Sequence, residues 1–379
     1  MKIVYIINLK MPTEKAYGYQ VAKMCEQFAL LGADVELWFA ERGCKERASV
    51  HEFYGIENSF QIKRVRVPDI VRFSTLIGPF AFYIQGLIFV LRLLFAEISN
   101  NAVIYSRNPE VVWLFSLKGF KVVFDAHNWP TGKNRIFKFL TRRAGLIVCN
   151  SSGTAEKFKK NGFQNVIAVP NGVDLKDFEN LEKKEKLREK LFLPLDKKIV
   201  MYAGHLYKWK GPETLIGAAE KLRERKDILF VLVGGLEKDI KRCRNIAMAK
   251  DLDNIVFTGY KEKKLIPSYL KSADILVLPN EGDEERSAKY TSPIKLFEYM
   301  ASRRPIIASD LPSIKEILDE EKAYFFEAGN SRQLADKILE CLNSESVSKG
   351  KAEDAFQEVQ KYTWRRRGEK IMREIEKLG

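Results

Sequence analysis

The chain has 379 residues, 46% hydrophobic and 30% charged, which excludes a disordered chain and suits two α/β domains better than one. Its formal charge of +14 is shared by both halves without a basic tail. That points to anionic partners, phosphorylated small molecules or acidic lipid surfaces. Nucleic acid would rest on net charge alone, because no aromatic–basic motif accompanies it. Five cysteines (Cys25, Cys44, Cys149, Cys243, Cys341), no C-x-x-C and 3 histidines argue against a zinc site or a disulfide framework and fit a reducing, cytoplasmic setting.

In chain order, Lys2 to Ile7 reads as a first buried strand, too short for a signal peptide. Val21, Met24, Cys25 and Phe28 then mark a helix with one apolar face. Further strands are expected at 35–39, 61–67, 102–105, 121–124, 146–149 and 165–169. The run Phe73–Leu91 carries no charge. It is borderline in length for a membrane span, but Gly78, Pro79, Gln85 and Gly86 favour a buried or interfacial helix. Pro170-Asn171-Gly172-Val173-Asp174 is a dense turn signal, followed by a charged helical stretch at 179–191. The alternation restarts with strands near 198–203, 228–233, 254–257, 274–278 and 305–308. A last helix is expected over about 352–377. Strand–helix alternation on both sides of a turn predicts two α/β, Rossmann-like domains with parallel sheets. They are residues 1–172 and 173–357, with a final helix of about 358–379 packing back on the first domain.

Ligands in such sheets bind at the carboxyl ends of the strands. No P-loop and no G-x-G-x-x-G occurs there. Gly18 precedes a helix and would let backbone approach an anion; a simple turn glycine is the plain alternative. His127 follows the strand Val122-Val123-Phe124-Asp125. It reads either as a hydroxyl-binding residue or as a structural loop histidine. Lys210, between the Gly204 turn and Pro212 at a helix start, is placed for a phosphate; it also reads as an ordinary surface lysine. In Tyr290-Thr291-Ser292-Pro293-Ile294-Lys295-Leu296-Phe297-Glu298, Ser292 is expected to cap a helix and Pro293 to begin it. Lys295 then falls in the first turn, where a cation opposes the helix dipole by about 0.3–1 kcal/mol. An anion nearby would offset that cost; a solvated Lys295–Glu298 pair is the plain reading.

These motifs (Lys15-Ala16-Tyr17-Gly18-Tyr19-Gln20, Gly204-His205-Leu206-Tyr207-Lys208-Trp209-Lys210-Gly211 and Ser292-Pro293-Ile294-Lys295-Leu296-Phe297-Glu298-Tyr299-Met300-Ala301) resemble those of the retaining glycosyltransferase family 4 group. The resemblance covers essentially the whole chain. It implies the GT-B fold, two Rossmann-like domains facing a central cleft. It also implies transfer of a sugar from a nucleotide diphosphate to a sugar or lipid-linked glycan acceptor, with retention. Gly18 would then meet the donor phosphates or sugar, His127 a hydroxyl of the transferred sugar, Lys210 the diphosphate and Glu298 the ribose. His205, Tyr290, Thr291, Ser292, Pro293 and Lys295 would complete the donor site. No metal or other cofactor is expected, since lysines and helix dipoles can neutralise the diphosphate. His205 stands where most relatives have Arg, and Tyr290 where many have Glu. A sugar-nucleotide epimerase of the same fold and a two-lobed binding protein are the competing readings. The uncharged 73–91 run and the basic Lys133, Arg135, Lys138, Arg142 and Arg143 add an expected peripheral contact with an anionic membrane, on its inner face.

Overall fold

The computed structural model describes residues 1–43, 49–57, 59–130, 132, 134–283, 285–290 and 292–378. The chain forms two compact units, Met1–Pro170 with Trp364–Gly379, and Asn171–Thr363.

The first unit holds seven strands: β1 Lys2–Ile7, β2 Asp34–Glu41, β3 Gln61–Arg66, β4 Val103–Ser106, β5 Lys121–Ala126, β6 Leu146–Cys149 and β7 Val166–Ala168. All neighbours pair in parallel, in the order β3-β2-β1-β4-β5-β6-β7. Its helices are α1 Ala16–Leu30, α2 Val50–Tyr54, α3 Ser74–Ile77, α4 Phe80–Leu94, α5 Pro109–Leu117, α6 Asn134–Thr141 and α7 Ser152–Lys160. Central strands such as β1 and β4 are buried on both faces, as a parallel sheet between helix layers requires.

The second unit repeats the plan with β8 Lys198–Ala203, β9 Ile228–Val233, β10 Ile255–Gly259, β11 Ile275–Leu278, β12 Ile306–Ser309 and β13 Tyr324–Phe326. Their order is β10-β9-β8-β11-β12-β13, again parallel. The helices are α8 Lys184–Lys190, α9 Pro212–Lys221, α10 Glu237–Met248, α11 Ile266–Ser272, α12 Glu285–Lys289, α13 Ile294–Ala301, α14 Pro312–Lys315, α15 Ser331–Asn343 and α16 Glu345–Val359. In each unit the strand order reverses once, between β1 and β4 and between β8 and β11. Those reversals leave crevices at the carboxyl ends of the central strands.

Three expectations need correction. β13 was not foreseen; its three residues are too few to show a period. The stretch 179–191 is helical only from Lys184, after a 3-10 turn at Leu175–Phe178. The single last helix is two helices, α16 and then α17, Trp364–Glu376. The break falls where Tyr362 accepts a hydrogen bond from Val173 N at 3.0 Å and lies tilted against Phe297 with ring centres 5.3 Å apart. Thr363 there bridges to Val173. The chain leaves the first unit after Pro170 because Asn171 is already held in the second. Its N–H donates to Ser292 Oγ at 3.0 Å and its amide to Ser292 O at 2.6 Å.

Helix α17 returns to the first unit and packs on α1. Trp364 is buried edge-on to Tyr19, with ring centres 6.2 Å apart. Truncating it to Ala is expected to cost about 3–5 kcal/mol. Urea denaturation should show the loss in the transition of the first unit, with the second unit's transition unmoved.

Candidate active site

The second unit's crevice opens where β8 ends. Gly204 follows it with φ 137°, a backbone angle that favours glycine. A side chain there would begin 2.8 Å from Lys295 Nζ. The ammonium of Lys295 thus occupies the space beneath the strand end, 3.7 Å from the ring centre of Tyr202. The nitrogen is shut from solvent and has no hydrogen-bond partner among the described residues. Burial first, and then the charge of Lys210, hold its pKa well below the ordinary value of 10.5. A buried cation facing another cation is costly and is retained where an anion completes it.

Lys210 closes a 3-10 turn, Lys208–Lys210, just before α9. Its ammonium lies 3.8 Å from the ring centre of Trp209. Gly211 follows with φ 69°, and the main chain at Pro279 leaves no room for a side chain. His205 stacks on Tyr207 at 5.1 Å, and Tyr207 on Trp209 at 6.5 Å, almost face to face. Sequence reading missed this aromatic ladder, although its i, i+2 spacing is visible in Gly204-His205-Leu206-Tyr207-Lys208-Trp209. It also missed Asn280, buried after β11 with neither amide atom partnered among the described residues.

The Ser-Pro helix start differs from expectation. Pro293 is the capping position, α13 begins at Ile294, and no side chain caps it. Ser292 is unavailable as a cap because its hydroxyl and carbonyl hold Asn171. Lys295 does not pair with Glu298, which forms an ion pair with Lys263 instead. Tyr290 is buried and donates to Glu285 at 2.8 Å. Thr291 lies outside the described residues.

In the first unit, His127 follows β5. Asp125, fully buried, accepts from His127 Nε2 at 3.0 Å, Arg107 Nε at 3.2 Å and Tyr5 Oη at 3.2 Å on Oδ2, and from Arg367 Nη2 at 3.2 Å on Oδ1. Burial alone would raise its pKa, but His127, Arg107 and Arg367 hold the carboxyl well below its usual range. Burial and the charge of Arg107 push His127 down to about 4, so its imidazole is neutral at pH 7. The ring nitrogen facing an ionised carboxylate carries the proton, which leaves Nδ1 as an acceptor. Gly18 lies inside the first turn of α1. Its N–H donates to Lys15 O at 3.0 Å, and the room beside its Cα is filled by Tyr54 and Thr13.

Two parallel sheets of this kind, each with its crevice at the strand reversal, define the GT-B fold. Solved structures match over the whole chain: Anabaena HepE in complex with UDP, with TM-score 0.76 and 17% identity over 100% of both chains, and sucrose-phosphate synthase from Thermosynechococcus elongatus, with TM-score 0.75 and 17% identity over 100% of this chain and 99% of that one. Residues 183–360 match the model of the glycosyl transferases group 1, and residues 18–177 that of glycosyltransferase family 4. Together the two matches span most of the chain, and both models are of glycosyltransferases. Among curated relatives, TuaC of Bacillus subtilis, a glycosyltransferase named for teichuronic acid biosynthesis, is 25% identical over 261 residues, 68% of this chain and 62% of that one. The phosphatidyl-myo-inositol mannosyltransferase of Mycobacterium leprae is 27% identical over 217 residues, 57% of this chain and 54% of that one. The matched stretches span about three fifths or less of these relatives' lengths.

Lys295 has a signature independent of any ligand. Its folded pKa lies below its unfolded value, so between the two the unfolded chain holds more protons and stability rises with pH. Lys295→Met is therefore expected to raise the melting temperature of the free protein at neutral pH. That gain should shrink as pH climbs towards 10.5. Melting curves of both proteins from pH 6 to 10.5 check it; a gap that does not change with pH would contradict the buried cation.

Proposed function

We propose that the protein transfers a sugar from a nucleoside diphosphate to an acceptor hydroxyl, with retention, in the synthesis of a glycan, glycolipid or surface polysaccharide. The observation that carries this is the unpartnered ammonium of Lys295 beside Lys210 at the end of β8, in a chain that both glycosyltransferase models match. The diphosphate supplies the missing negative charge. As the bond from the anomeric carbon to the diphosphate breaks, charge grows on the leaving oxygens, and both lysines stabilise it without rearranging. The acceptor oxygen bonds to that carbon on the same face, and its proton passes to the leaving diphosphate. His127, neutral, accepts a hydrogen bond from a hydroxyl of the transferred sugar through Nδ1. Glu298 takes the ribose hydroxyls, with Lys263 holding its carboxylate. His205, Tyr290, Thr291, Ser292 and Pro293 complete the donor site, and Gly18 is assigned a contact with the donor phosphates or sugar. The lysines do the neutralising, so the reading calls for no metal or other cofactor. HepE has been solved in complex with UDP-glucose as well as with UDP, which supports a nucleoside diphosphate sugar as donor.

Thermal shift with UDP, GDP and ADP and their sugars tests this reading. Each charge-assisted contact is worth about 1.5–3 kcal/mol. Lys295→Met or Lys210→Ala should therefore weaken diphosphate binding about 10- to 150-fold, and Glu298→Gln should weaken nucleosides as well. A full ligand-induced shift in Lys295→Met would end the phosphate assignment. Turnover of a nucleotide sugar without an acceptor would replace the transferase by an epimerase. The anomeric configuration of the product, read by NMR, decides retention.

We also propose that the protein works as a peripheral protein on the anionic inner face of a membrane. No described helix is long and apolar enough to cross one; α4, at 15 residues, spans about 22 Å. It buries Ala81, Gln85, Phe89 and Leu93 yet exposes Phe80 (71%), Tyr83 (56%), Leu87 (59%) and Leu91 on the opposite side, with Leu76 (80%) preceding them. α5 packs against both α4 and α6, and α6 exposes Ile136 and Phe139. From Val71 to Ala96 and from Gly132 to Gly145 every charged residue is basic: Arg72, Arg92, Lys133, Arg135, Lys138, Arg142 and Arg143. Lys133 lies outside the described residues. Such a cationic rim repels a second copy and suits an anionic bilayer, where each Lys or Arg gains about 1 kcal/mol. Flotation with phosphatidylglycerol vesicles should carry the wild type up and leave a Leu76, Phe80 and Leu87 to Ser triple variant behind. Pure phosphatidylcholine should capture much less. Absence from both vesicle types, or a dimer in light scattering that the triple variant abolishes, would overturn the idea.

A further inference from the structure

Arg367 stands far along the chain from the histidine site, in α17, yet its side chain is buried within it. Its guanidinium donates Nη1 to the carbonyls of Val169 and Pro170, the latter at 3.0 Å, and Nη2 to Asp125 Oδ1 at 3.2 Å. Both partners are buried to about 1% or less at their side chains. Asp125 could turn about its last bond and offer either oxygen to His127. Arg367 removes that freedom, because one oxygen is fixed to a group that is itself anchored to two main-chain carbonyls. The other oxygen, Oδ2, then faces His127, Arg107 and Tyr5. Arg107 completes the frame by donating to Gln20 Oε1 at 2.8 Å.

We infer that Arg367 is a positioning residue: by fixing Oδ1 of Asp125 it aims Oδ2 at the Nε2–H of His127 and leaves Nδ1 as the acceptor that meets substrate. The inference rests on the proposed role of His127. It gives the returning helix a part in the chemistry as well as in packing. The groups facing the pair are Tyr5 from β1, Tyr105 from β4 with Arg107 just after it, Cys149 from β6, Cys25 and Gln20 from α1, and Arg367 from α17. Among them the cations are Arg107 and Arg367, and both disfavour a proton on His127.

The test needs no substrate. The chain has 3 histidines, so imidazole signals in a ¹⁵N-labelled sample are few, and His127→Gln assigns one of them. In the wild type this ring should show the Nε2–H tautomer and titrate far below an ordinary histidine. Arg367→Gln should raise its titration by about one pH unit or more and populate both tautomers. Arg367→Lys, which keeps the cation, should hold the titration close to the wild type. A wild-type ring in the Nδ1–H form, or a titration that Arg367→Gln leaves in place, would overturn the inference. The wild-type tautomer decides even if Arg367→Gln does not fold. A kinetic arm separates this from the functional reading. If the NMR changes appear in Arg367→Gln but kcat and its acid limb do not move, the positioning stands and the role given to His127 falls.

Discussion

Two ammonium groups of like charge share the end of β8, and one of them has no acceptor among the described residues. Folding alone gives no reason for that arrangement: burying Lys295 over Tyr202 forfeits its hydration and gains little in return. The surrounding backbone is shaped to permit it. Gly204 leaves the space that Nζ fills, and Gly211 lets the chain after β11 pass close by Lys210. A protein that holds a cation this way is incomplete without an anion, and the crevice at the strand reversal is where an α/β sheet offers one a place.

The first unit handles buried charge in the opposite way. Asp125 lies equally deep but is met by two arginines, a tyrosine and a histidine. There the network is closed, and its product is a neutral imidazole with a defined free nitrogen. One unit thus keeps a positive charge that is unmet among the described residues, as the proposed diphosphate leaving group requires. The other keeps a polar but uncharged contact, suited to hydroxyls that do not change charge. The division of labour follows from how each carboxylate or ammonium is solvated.

Much of the fold was readable from the sequence because parallel strands buried on both faces leave unmistakable β-branched runs. Twelve of the strands lie within a residue or two of where those runs predicted them. Lys295 was readable because a cation in a first helical turn breaks a local rule. What could not be read were contacts joining distant stretches. Lys263 is 35 residues from Glu298, and Ser292 is 121 from Asn171; no periodicity links either pair. The helix start was misjudged for that reason: Ser292 was read as a local cap when a partner far away had claimed its hydroxyl. Arg367 is 2% exposed, yet nothing local in Arg365-Arg366-Arg367 tells it from its neighbours.

The return of α17 also constrains how the molecule is made. The first unit is interrupted in the chain by the whole of the second, so it is not a unit of synthesis. Chains fold from the amino end as they emerge, and here the first sheet appears long before the helix that completes it. Until Arg367 arrives, Asp125 has a bare oxygen and the Val169 and Pro170 carbonyls lack their donor. A nascent or prematurely terminated chain can therefore possess both sheets and every strand-end loop while its histidine remains unaimed. Completion of translation becomes, in effect, the last assembly step of the buried network around Asp125.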